Sequence, residues 1–267
     1  MAEKTLKLTL EYDGSGFRGW ARQPEERTIE GVVRDALDAV FPFWTGLEVA
    51  GRTDTGVHAT GQVVSVRAAG GPPPENAAKA LNAALPEAVA VLVAEEAEDD
   101  FSARFSARSR AYRYRILRRA ARSPFEARRA LWWPKPIDRA ALDAAAALLP
   151  GTHDFTAFTP TDTEHVRFAR DVLAAWWDVS GPAYSFWIEA DAFMRNMIRV
   201  LVGTMLEVAG GRRSPESFEA LLEGRPRSQA GATAPPHGLY FAGAGYGAPV
   251  LGEEAFAPVF ARVRGDR

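Results

Sequence analysis

The chain of 267 residues contains no cysteine. That absence excludes disulfides, thiolate nucleophiles and thiolate metal sites. Histidine is scarce, and the four present (His58, His153, His165 and His237) show no metal-ligand spacing. No run approaches the ~20 apolar residues that a membrane-spanning helix needs. The opening Met1-Ala2-Glu3-Lys4 passes directly into a strand-like pattern without the apolar core of a signal peptide. Lysine is nearly missing too, with only Lys4, Lys7, Lys79 and Lys135 beside the many arginines. No low-complexity linker and no exact repeat interrupts the chain. These absences lead us to expect a cytoplasmic protein without a metal.

What is present describes a folded domain. Apolar residues make up 47% and charged residues 25% of the chain, a balance that buries a core. The length allows one large domain or two of ordinary size. The net charge of −2 argues against a basic tail that binds polyanions without selectivity, but nucleic acid remains open as a substrate, because the placement of cations decides. Arg104, Arg108, Arg110, Arg113, Arg115, Arg118, Arg119, Arg122, Arg128 and Arg129 crowd one stretch. Glu95, Glu96, Glu98, Asp99 and Asp100 crowd the stretch before it.

Periodicity predicts the elements. Leu6, Leu8 and Leu10 alternate with polar residues, as in a half-buried strand that ends at Asp13-Gly14. Thr28 is placed to cap a helix over 29–40, where Ile29, Val32, Val33, Ala36, Leu37 and Val40 form a 3.6-residue stripe. Strands are expected at 47–50, 62–68 and 89–94, with a second helix over 75–84. This strand-helix-strand-strand-helix-strand order points to an α+β half with helices against an antiparallel sheet. A second half follows. It has a strand over 111–118, a helix capped by Asp138 and running to Leu149, and a strand pair at 172–180 and 184–192. A long helix over 194–208, a shorter one over 215–223 and a closing strand over 239–245 complete it. The boundary is expected near residues 106–111, giving halves of 1–108 and 109–267 with their sheets joined.

The stretch that carries chemistry runs from Gly51 to Gly61. It sets Asp54 in a glycine-flanked turn between two strand-like runs, where a side chain is presented at a fixed position. Local chemistry alone also allows Asp54 simply to cap its own turn. Other phrases keep it company. They are Glu11-Tyr12-Asp13-Gly14-Ser15-Gly16-Phe17-Arg18-Gly19-Trp20, Asn82-Ala83-Ala84-Leu85-Pro86 and Phe101-Ser102-Ala103-Arg104-Phe105-Ser106-Ala107. Tyr112-Arg113-Tyr114, Phe193-Met194-Arg195-Asn196-Met197-Ile198-Arg199 and Gly238-Leu239-Tyr240 follow. In this order, from about residue 6 to residue 246, the phrases resemble the TruA-type tRNA pseudouridine synthases.

The resemblance implies two similar α/β-sandwich halves forming one mostly antiparallel sheet, with helices on one face and an active-site cleft between the halves. It implies isomerisation of uridine to pseudouridine at tRNA positions 38, 39 and 40 in the anticodon arm, by a homodimer whose two subunits both contact tRNA. The reaction has no net redox or hydrolytic change, so no cofactor is expected. By motif Asp54 is the catalytic nucleophile; whether it attacks the ribose C1′ or the base stays open. A carboxylate in a pocket that excludes water needs a cation to remain ionised. By the same match Arg199 supplies the cation, Tyr112 and Leu239 grip the flipped base, and Arg52 lies near that base. Two residues before Asp54, Arg52 is also a second cation candidate. Arg18, Arg22, Gln23, Arg104, Arg108, Arg110 and Arg113 are candidates for contacts to tRNA phosphates. His58 is expected to be a structural hydrogen-bonding partner of its turn. Ala21 and Glu30 depart from the family's usual Gln at both places, and an exposed Glu30 would repel phosphate. The rivals are a non-catalytic tRNA-binding module on the same fold and a hydrolase using Asp54. The hydrolase lacks the second carboxylate or metal cluster such chemistry uses.

Overall fold

Alternating leucines and long-range pairing build the first sheet of the computed structural model, which describes residues 3–163 and 165–251. The described residues divide into two units. The first holds those through Arg108 together with Tyr240–Tyr246, and the second holds Ser109–Leu239 and those from Gly247 onward.

In the first unit, β1 (Glu3–Tyr12) buries Leu6, Leu8, Leu10 and Tyr12 while Glu3, Lys4 and Glu11 face solvent. It lies between β3 (His58–Ala69) and β4 (Val89–Ala97), antiparallel to both, with Leu8 opposite Val64 and Ala94. Helix α1 (Ile29–Val40) starts where the Thr28 hydroxyl accepts from the Gly31 amide at 3.2 Å, and it buries Ile29, Val33, Ala36 and Leu37. Helix α2 (Pro74–Ala84) has proline in its first turn and packs on α1 and β4. β2 (Phe43–Val49) pairs with β3 and begins earlier than its apolar pattern suggests. Gly46 breaks the alternation there, and Phe43 is an exposed residue at the start of the strand.

The final strand β10 (Leu239–Gly245) joins β3 in parallel, Tyr240 opposite His58 and Phe241 opposite Ala59. Gly61 permits this approach, since a Cβ there would sit 2.3 Å from the Ala242 carbonyl oxygen.

In the second unit, β5 (Ser109–Leu117) pairs with β9 (Ala183–Ala190), β9 with β8 (Ala169–Ser180) and β8 with β7 (Gly151–Asp154), all antiparallel. The two-residue β6 (Leu131–Trp132) runs parallel to β5. β6 and β7 are too short to show a period, which is why the pattern did not predict them. Asp138 caps α3 (Arg139–Ala147) as expected, accepting from the Ala141 amide at 3.1 Å.

Helix α4 (Met197–Ala209) is buried along nearly its whole length, and α3 and α5 (Pro215–Glu219) pack against it. It begins at Met197 and not at Met194, because Asn196 adopts a left-handed φ of 62° that no helix continues through. The α+β class expected from the sequence holds.

Helix α4 also carries the segment 231–234 across its surface. The Gly231 amide donates to Thr204 Oγ1 at 3.0 Å and the Ala234 amide to the Arg199 carbonyl at 3.0 Å. Gly203 sits beneath this crossing, and a Cβ there would lie 1.8 Å from the Ala232 carbonyl oxygen. Alanine would raise helix propensity by about 1 kcal/mol, but the clash forces backbone to move and outweighs it. Gly203→Ala is expected to lower unfolding free energy by about 1–3 kcal/mol in denaturant titration. Gly247→Ala, whose Cβ would meet nothing within 4 Å, should leave it unchanged.

Candidate active site

Asp54 opens a tight turn. The Val57 amide donates to the Asp54 carbonyl at 3.0 Å, and Gly56 between them has φ +78°, the left-handed conformation that the third residue of a type II turn requires. Exposure alternates through the approach: Arg52 and Asp54 are exposed and Thr53 between them is buried. The Arg52 and Asp54 side chains therefore leave the same side of the extended backbone.

The turn is held from beneath. Tyr12 Oη and Thr53 Oγ1 share a hydrogen bond of 2.8 Å. Gln62 Nε2 donates to Tyr12 Oη at 3.2 Å and to the Gly51 carbonyl at 2.7 Å. Burial pushes the Tyr12 phenol up to about 12, although its bonds to Thr53 and Gln62 pull the other way. The hydroxyl is therefore protonated throughout the physiological range.

From the side, the loop after β1 closes on the turn. The Trp20 amide donates to the Thr53 carbonyl at 2.9 Å, and the Gly14 amide to His58 Nδ1 at 3.1 Å. Two glycines allow this approach. A Cβ on Gly14 would sit 2.0 Å from the Val57 carbonyl oxygen, and one on Gly19 2.8 Å from that of Thr53. His58 is 1% exposed, lies 3.3 Å from Asp13 Oδ1 and stacks on Tyr240 at 4.6 Å. Because Nδ1 accepts from an amide, the imidazole carries its proton on Nε2 when neutral. It holds two loops and β10 together, a structural role.

Tyr112, Arg199 and Leu239 belong to the second unit, where each is held by contacts of its own. Tyr112 on β5 is 9% exposed and meets Phe193 edge-on at 5.1 Å. Arg199, in the first turn of α4, donates from Nε to the Ala234 carbonyl at 2.7 Å and from NH1 to Asn196 Oδ1 at 2.7 Å. The left-handed Asn196 thus offers its amide to the guanidinium instead of capping the helix. Tyr114, two residues from Tyr112 on the same strand face, is fully buried and donates to the Pro235 carbonyl at 2.8 Å. Burial raises its pKa, and the Arg199 guanidinium counters this in part. A Cβ on Gly238 would lie 2.6 Å from Tyr114 Cζ, so the segment that leads into Leu239 rests directly on the phenol ring. Leu239 itself is 7% exposed.

The candidate RNA contacts differ in what already occupies them. Arg18 pairs with Glu26 at 3.2 Å, Gln23 Nε2 donates to the Arg18 carbonyl at 3.0 Å, and Arg22 is exposed. Glu30 accepts from the Arg22 amide at 3.1 Å and pairs with Arg34 at 2.8 Å, so its carboxylate is neutralised and ties the loop to α1. Arg104 and Arg108 are exposed. Arg110 lies on the Tyr112 face of β5 and donates to the Asp191 carbonyl at 3.1 Å. Arg113 lies on the opposite face, bonded to Ser185 Oγ at 2.8 Å and set over the Trp187 ring at 5.1 Å. Tyr12, Gln62 and Tyr114 were not singled out as site residues, because their bonds join positions far apart in sequence and leave no local pattern. Among the described residues no cluster of His, Asp and Glu could hold a metal, and no helix is long and apolar enough to cross a membrane.

Residues 9–106 and 145–247 match the model of a family described as tRNA pseudouridine synthase. Several relatives carry the name tRNA pseudouridine synthase A. One from Moorella thermoacetica is 41% identical over 240 residues, covering 88% of this chain and 96% of that protein. One from Allorhizobium ampelinum is 40% identical over 238 residues, covering 88% and 92%. One from Geobacillus kaustophilus is 39% identical over 237 residues, again covering 88% and 92%.

Tyr12→Phe removes only a hydroxyl and leaves Thr53 and Gln62 short of a buried partner. It is expected to cost about 1–3 kcal/mol of stability. Amide exchange at Trp20 and Val57, whose bonds end on the turn, should quicken more than exchange in α4. Unchanged protection at these two amides would show that the hydroxyl does not hold the turn.

Proposed function

We propose, from the premise that this chain belongs to the tRNA pseudouridine synthase family, that it isomerises uridine to pseudouridine at positions 38, 39 and 40 of the tRNA anticodon arm, with Asp54 as nucleophile. The observation that carries this reading is an exposed carboxylate on a turn clamped from two sides, within the family's matched segment. The reaction breaks the N1–C1′ bond, turns the base and joins C5 to C1′; C5 gives up its proton and N1 gains one. Atoms and electrons balance without an oxidant, a reductant or water.

The protein's task is positioning and charge. Asp54 acts on the substrate as an ionised carboxylate, and Arg199 and Arg52 favour its charged form. Tyr112 and Leu239 hold the extruded base between an aromatic and an aliphatic surface. Arg199 suits the part because its guanidinium is held by hydrogen bonds to the Asn196 side chain and to the Ala234 carbonyl. The functional halves are residues 1–108, carrying Asp54, and 109–267, carrying Tyr112, Arg199 and Leu239. Arg18, Arg22, Gln23, Arg104, Arg108, Arg110 and Arg113 contact phosphates, with Arg110 nearer the base than Arg113 because it shares the face of Tyr112. The enzyme works in the cytoplasm as a homodimer.

Unmodified tRNA carrying tritium at C5 of uridine tests this directly. Wild-type protein should release tritium with neither metal nor cofactor added. Asp54→Asn should lower the rate about a thousandfold or more while tRNA binding stays within about twofold. Binding without release by the wild type would instead make the chain a non-catalytic tRNA-binding module.

A further inference from the structure

Another exposed feature lies outside the proposed catalytic residues, on the loop between β4 and β5. Phe101 and Phe105 belong to the same short phrase, and their fates differ. Phe101 packs on Tyr246 with ring centres 4.9 Å apart, whereas Phe105 is 73% exposed. The loop that displays Phe105 is tied at several points. The Phe105 amide donates to Ser102 Oγ at 2.9 Å, the Ser106 amide to the Ser102 carbonyl at 3.0 Å, and the Ser102 amide to Ser106 Oγ at 3.1 Å. Ser102 Oγ donates in turn to the Glu48 carboxylate. Beneath, the Ala103 amide donates to Ser65 Oγ at 2.9 Å, and Tyr246 Oη to the Ala103 carbonyl at 2.9 Å. A single exposed apolar side chain is ordinary, but a large ring held in solvent by a loop with several hydrogen bonds on either side of it is preorganised for a contact outside the chain.

The neighbouring charges indicate what that contact is. The Arg104 guanidinium lies over the Phe105 ring at 5.0 Å, and Arg108 is exposed three residues on. An aromatic ring with an arginine over it, and a second exposed arginine close in sequence, matches an unstacked nucleobase flanked by phosphates. We propose that Phe105, framed by Arg104, is a stacking platform for an unpaired base of the bound tRNA. It is distinct from the residues that hold the target uridine. The assignment rests on the proposed tRNA substrate. It makes Phe105 a binding residue that raises affinity and has no part in the bond-breaking step.

The test compares Phe105→Ala, Phe105→Leu and Phe105→Trp with wild type, using unmodified tRNA in equilibrium binding and in tritium release. Alanine and leucine should each weaken binding about tenfold or more and raise KM in step, with kcat unchanged, whereas tryptophan should restore both. Stacking releases no counterions, so the salt dependence of binding should stay that of wild type in Phe105→Ala. It should become shallower in Arg104→Ala. All three Phe105 variants should melt like the wild type, since the ring contributes little to the core.

Equal affinity for alanine, leucine and wild type, in a wild type that turns tRNA over, would overturn the platform and leave the enzymatic assignment standing. Loss of self-association in Phe105→Ala with tRNA affinity kept would overturn it in favour of a contact between two copies of the chain. Wild type that neither binds nor modifies tRNA would overturn both.

Discussion

The close approach of two backbone segments, the loop after β1 and the turn that begins at Asp54, is the constraint on which the geometry around Asp54 depends. Gly14 and Gly19 make it possible, because any side chain at Gly14 would meet the Val57 carbonyl at 2.0 Å. Once the segments touch, the Trp20 amide, the Gly14 amide and the buried Tyr12 hydroxyl fasten the turn at Thr53 and His58. Each anchor falls beside Asp54 and none needs its carboxylate. The Asp54 side chain is exposed while its backbone is fixed, so its position is set by the fold beneath it.

The second unit solves a related problem with different parts. Arginine is long and flexible, yet the Arg199 guanidinium is kept at a set place. Arg199 is fixed by a main-chain carbonyl on one side and by the side chain of Asn196 on the other. The left-handed turn at Asn196 delays the start of α4 by three residues relative to its apolar pattern, and it turns a potential cap into a partner for the arginine. Tyr114 holds the same segment from below, so Arg199 and the approach to Leu239 depend on one another through residues 234–238. Substitutions in this segment therefore act on both at once.

Much of this was legible in the sequence. The leucine alternation of β1, the Thr28 and Asp138 caps and the hairpin at Gly181-Pro182 are local signals, and the structure carries each of them. The glycines around Asp54 likewise announce a turn. What escaped has non-local causes. The parallel pairing of β10 with β3 brings Tyr240 opposite His58 across most of the chain, and no periodicity records it. Tyr12 and Gln62 look like ordinary strand residues until the fold brings them together under Gly51 and Thr53. Glu30, an apparent liability beside phosphate, proves to be paired with Arg34 and bonded to the Arg22 amide. Charge type is visible in a sequence; charge already neutralised is not.

If the clamp fixes where the carboxylate sits, charge alone at position 54 is not enough. Asp54→Glu keeps the carboxylate and moves it outward by one methylene on an unaltered turn. Its single-turnover rate on C5-tritiated tRNA, with enzyme in excess, tests this most directly. The rate should fall about a hundredfold or more, the scale of an ångström's displacement of a reacting group, with tRNA affinity unchanged. A glutamate enzyme within a few-fold of the wild-type rate would contradict the account, because the carboxylate would then find its target without the turn's help.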